Sequence, residues 1–90
     1  MTLSFPIKFR TWVNADTSMS FSGEDGGKEV TCRVSGDALT ECLGAIAAKA
    51  EPAYRAFDCH RARLEEIATK KFEAGQTEKD GTILIGPNDL

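Results

Sequence analysis

The chain has 90 residues, 41% of them hydrophobic and 28% charged, and a net charge of −3. That length supports one domain with a single core and no internal cavity of enzyme size, and the composition is that of a folded protein. The negative balance argues against a general affinity for phosphate backbones or anionic membranes.

Leu3, Phe5, Ile7 and Phe9 alternate with Ser4, Pro6 and Lys8, which predicts an extended arm over residues 1–10. Pro6 cannot donate to a ladder, so the arm is an edge or lies outside the sheet. Trp12-Val13, then Asn14-Ala15-Asp16, then Met19 and Phe21 among serines read as a hairpin. Glu24-Asp25-Gly26-Gly27 is a turn, because two glycines supply positive φ. The strand Glu29 to Val34 follows, with Val30, Cys32 and Val34 on one face. Ser35 is placed to cap a helix that starts at Gly36, and Asp37 suits the dipole of its first turn. Leu39, Cys42, Leu43 and Ile46 give this helix an apolar stripe, ending at Leu43 or, beyond Gly44, at Ala50.

A longer helix is predicted from Pro52 to Ala74, stopped by Gly75 behind Lys70 and Lys71. Asp80-Gly81 turns into a last strand, Thr82 to Ile85, and residues 86–90 trail off as a tail. The expected architecture is one α+β domain over residues 1–90, with an antiparallel three-stranded meander, two helices and a final strand that rejoins the sheet. Thr-Ile-Leu-Ile carries no charge, so that strand is expected to be central or paired across a subunit boundary.

Phe57 to Arg61, FDCHR, holds the one histidine and one of the three cysteines. At about 100° per residue, Tyr54, Phe57, Leu64, Ala68 and Phe72 form one apolar stripe that also takes in His60 and Arg61. Cys59 falls on the opposite face, so the adjacent thiol and imidazole are not expected to act as a nucleophile pair. His60 has no metal-ligating residue at helical spacing, and no metal or cofactor is expected. No Ser-His-Asp arrangement is recognisable, and Gly23 to Gly27 precedes a strand and lacks the phosphate-loop pattern. No catalytic residue is therefore assigned. His60 and Arg61 are the candidate ligand- or partner-binding pair, since a guanidinium binds carboxylate bidentately.

The apolar run from Cys42 to Ala50 is too short to span a membrane, and Met1 to Phe9 does not read as a signal peptide. An odd number of cysteines without a CxxC points to a reducing, cytoplasmic setting.

CRVSGDAL (Cys32 to Leu39), AFDCHRARLEEIATKKFEAG (Ala56 to Gly75) and DGTILIGPNDL (Asp80 to Leu90) resemble domain-of-unknown-function family 1488. Phe57, His60 and Arg61 match its Phe-x-x-His-Arg core, Asp80-Gly81 its turn before the last strand, and Asp89-Leu90 its ending. Cys59 is not part of that pattern. The resemblance implies an α+β fold in a small bacterial cytoplasmic protein and no particular chemistry. The expected function is a non-enzymatic interaction or regulatory module, with a protein partner or a homodimer built on sheet or arm residues. The alternative is a small anionic-ligand-binding or catalytic domain centred on His60 and Arg61. Nucleic acid and membrane are not expected partners.

Overall fold

Two consecutive glycines at φ 58 and 88 let Asp25-Gly26-Gly27-Lys28 close a two-residue hairpin, since only residues that tolerate positive φ match the twist of the flanking strands. The strands it joins are β2 (Ser18–Asp25) and β3 (Lys28–Ser35). In the computed structural model, which describes residues 3–6, 10–15, 17–46 and 49–90, strand β1 (Arg10–Val13) pairs antiparallel with β2, setting Trp12 opposite Met19. Of the expected arm and first turn, Met1, Thr2, Ile7, Lys8, Phe9 and Asp16 lie outside the described residues.

Period-2 alternation decides which face of the sheet is covered. Met19, Phe21, Val30, Cys32 and Val34 point to the helices and are buried, while Ser20, Ser22, Thr31 and Arg33 face the other way and stay half-exposed. Leu3 is buried and Phe5 lies 5.9 Å from Phe21, centroid to centroid. Gly23 makes room for them, because a Cβ there would sit 2.9 Å from the Phe5 ring. Ser4 exchanges both backbone hydrogen bonds with Glu24, so the arm continues along the edge of β2.

Ser35 caps α1 (Gly36–Glu41) as expected, its hydroxyl accepting from the Ala38 amide at 3.1 Å. The helix is shorter than the apolar stripe suggested. Gly44 at φ 80 turns the chain back, the Leu43 amide donates to Ala38 and the Ala45 amide to Leu39. Cys42 and Ile46 consequently leave the core and are exposed. Residues 47 and 48 of the expected longer helix lie outside the described residues.

The single long helix is also corrected. Residues 50–73 form two helices, α2 (Ala50–Cys59) and α3 (Arg61–Glu73), separated at His60 with φ −118 and ψ 17. The His60 amide is shared between the Ala56 and Phe57 carbonyls, and its own carbonyl still accepts from Leu64. The break lets α2 lie on β1 and β2 while α3 lies on the strand at the far edge. Phe57 at the end of α2 and Leu64 and Ala68 on α3 are fully buried, and Phe57 meets Phe21 at 5.1 Å.

That far strand is β4 (Ile83–Ile85), parallel to β3. The order β1-β2-β3-β4 keeps the expected antiparallel three-stranded meander and the final strand that rejoins it, but that strand is parallel, so the sheet is mixed, and three helices lie on one face in place of the expected two. β4 is an edge strand and not a central one. It stays short, buries Ile83 and Ile85, leaves Leu84 41% exposed, and has its Leu84 carbonyl capped by Lys71 Nζ at 2.7 Å. At the other edge the Tyr54 hydroxyl accepts from the Trp12 amide at 3.0 Å. Residues 86–90 fold back: Pro87–Asp89 forms a 3-10 turn, Asp89 pairs with Lys71 at 3.0 Å, and Leu90 packs on the core.

Candidate docking groove beside His60

The early end of α1 and the break after Cys59 together leave an open groove of about 430 Å³. One wall is the connection Leu43 to Ile46; the other is the face of α2 that presents Pro52, Arg55, Ala56 and Cys59 at helical spacing, closed by His60. Leu43, Ala45 and Ala56 are buried and make an apolar floor. Ile46 stands at the rim with 93% of its surface exposed. Among the described residues, the charged lining residues are Glu51 and Arg55, a turn apart and 3.3 Å from each other, both largely solvated. Such a pair is worth about 0.3–0.5 kcal/mol, so it does not resist rearrangement by an incoming group.

His60 therefore lies where the sequence placed a candidate, but Arg61 does not join it. Arg61 is outside the groove lining. Its Nε donates to Glu65 at 2.9 Å with both side chains less than a fifth exposed, and its guanidinium carbon sits 5.1 Å from the Phe57 ring centroid. The guanidinium ties the first turn of α3 to the core, although its Nη2 atom is buried without a partner. Cys59 is exposed, as its helical phase predicted. Cys59 and His60 nevertheless both line one groove, about 100° apart in helical phase. No hydrogen bond joins them among the described residues.

Chain-distant partners account for the strongly held charges. Asp58 accepts two bonds from Arg10 at 2.6 and 2.8 Å, and Arg10 lies 4.5 Å over the Tyr54 ring. The bonds from Arg10 hold the Asp58 carboxyl below its ordinary pKa. The Gly86 amide, then Lys71, does the same for Asp89. Burial pushes the Cys32 thiol up to about 12, which makes it an inert core residue. Among the described residues no three His, Cys, Asp or Glu side chains are grouped to hold a metal ion, and no helix is long and apolar enough to cross a membrane.

Sequence reasoning missed the groove because it assigned Cys42 and Ile46 to the core stripe. The signal was present in Gly44, a helix-stopping residue directly after Leu43.

The protein of unknown function (DUF1488) family matches residues 3–85. A crystal structure of a protein of unknown function from that family, from Shewanella loihica PV-4, has a similar fold with a TM-score of 0.81 at 22% identity. The match covers 93% of this chain and 91% of that one. No curated protein matches the chain. The chain belongs to the DUF1488 family.

Proposed function

We propose that this DUF1488 protein is a small non-enzymatic interaction module that docks a protein partner in the groove beside His60. The observation that carries this reading is the lining: an apolar floor, a projecting Ile46, and charges already engaged with each other. A site for chemistry converges polar groups whose pKa values are displaced by one another. Among the described residues the displaced groups are Arg10, Cys32, Asp58, Asp80 and Asp89, none of which lines the groove, and hydrogen bonding or burial explains each shift. His60 serves as the polar end of the groove, able to donate or accept toward a partner backbone. Three free cysteines support a reducing cytoplasmic compartment, and the Shewanella neighbour supports a bacterial setting.

The competing reading is an anionic-ligand site centred on His60 and Arg61, and it is weakened by the engagement of Arg61 with Glu65. A thermal-shift series with phosphate, citrate, succinate and nucleotides separates the two. An anion at 100 times its dissociation constant adds about 2.7 kcal/mol, which for a domain of this size raises Tm by roughly 10–20 °C. The docking reading predicts no such rise. A rise that disappears in both His60→Ala and Arg61→Ala would overturn it in favour of the ligand site.

A further inference from the structure

We infer that the occupant of this groove is a second copy of the chain, paired about a twofold axis crossing α2. The inference rests on the docking reading above and names its partner. An isologous contact demands that one patch carry both halves of the match, and this patch does. Ile46 projects as a knob immediately beside the hole formed by Leu43, Pro52 and Ala56.

Charge gives the second, independent argument. Glu51 and Arg55 are opposite in sign and one turn apart along the rim. Two α2 helices related by a twofold axis run antiparallel, so the Glu51 of each copy can exchange its own Arg55 for that of the other. A patch with balanced, self-matched charge fits its own copy, whereas a different protein recognised by charge would call for an unbalanced rim. Small Ala56, next to Arg55 in the groove, permits close approach of the helices.

The rest of the surface offers less. The Trp12 amide at one sheet edge and the Leu84 carbonyl at the other are already bonded to Tyr54 and Lys71, so neither is free to template a second chain. One ten-residue helix and one connection make a contact at the small end of the range for specific interfaces, which sets the expected affinity in the micromolar range.

Sedimentation equilibrium over micromolar concentrations tests this with the intact chain. The wild type should approach twice its 9.8 kDa mass. Ile46→Glu should weaken the dimer at least about tenfold while leaving Tm unchanged at dilutions where both proteins are monomeric, because that side chain is almost wholly exposed in the single chain. Glu51→Arg and Arg55→Glu should each weaken it by setting like charges across the axis. The double swap should restore it, which a partner other than a second copy cannot explain. A monomer throughout, or a dimer indifferent to Ile46→Glu and to both single swaps, would overturn the inference. The docking reading would survive either result, since a monomer leaves the groove open to a different protein.

Discussion

At the residue scale, Phe57 is the side chain on which the core turns. It is fully buried, meets Phe21 at 5.1 Å and lies beneath the Arg61 guanidinium. Truncation to Ala removes the aromatic contacts and leaves a cavity at the helix break, so Phe57→Ala should cost about 3–5 kcal/mol. Urea unfolding measures it, and an unchanged midpoint would contradict the burial. Thiol reactivity makes a second prediction. Native protein should react quickly at Cys42 and Cys59, which are exposed, and at Cys32 only after unfolding, since that thiol is buried and pushed up to about 12. Equal rates at all three would show the core open. Phe57, Cys32, Cys59 and the Ser35 cap were legible because local periodicity and capping chemistry decide them. Cys42 and Ile46 were misplaced because an apolar residue satisfies a helical stripe on paper even where a glycine has ended the helix. The Arg10–Asp58 pair was illegible for a different reason: it joins residues 48 apart, and only the docking of α2 on β1 brings them together.

At the element scale, the helix break at His60 follows from what each half is tied to. Arg10 and Tyr54 fix α2 to β1, while Lys71 fixes α3 to β4 and to the final turn. The two acids in these ties give the fold a pH dependence with a definite sign. Asp58 and Asp89 have folded pKa values below their ordinary 3.8. Their stabilisation is therefore complete above that value and is lost as pH falls through the lower folded values. Thermal unfolding followed from about pH 5 down to about pH 2 should show Tm falling, and Asp58→Asn with Asp89→Asn should flatten that fall. An identical slope in the double variant would mean that these ties do not hold the helices. Lys71→Met should cost about 1–2 kcal/mol, because it leaves the Leu84 carbonyl and Asp89 without their shared donor. The hairpin and the Gly26-Gly27 turn were readable from turn chemistry. The position of β4 was not: an uncharged Thr-Ile-Leu-Ile suggests a strand that is central or paired across a subunit boundary, but the cap from Lys71 and a length of three residues make an edge tolerable.

At the scale of the whole molecule, one layer of helices on one sheet leaves two features that the fold itself does not use. One is the serine- and threonine-bearing outer face of the sheet; the other is the groove between the end of α1 and α2. The groove is the more specific surface, because it combines an apolar floor with a projecting Ile46 and a self-matched pair of charges. The class of fold was evident in the order of strands and helices, while the groove arises from two chain reversals whose consequences only three dimensions reveal. Protein docking at this groove is most directly tested by placing a photoreactive amino acid at position 46, and at position 66 on the charged face of α3 as control, in the native host cell. The account predicts a covalent protein adduct from position 46 and none from position 66, with a mass near twice 9.8 kDa when the partner is a second copy. Illumination that yields no protein adduct from position 46 would contradict it.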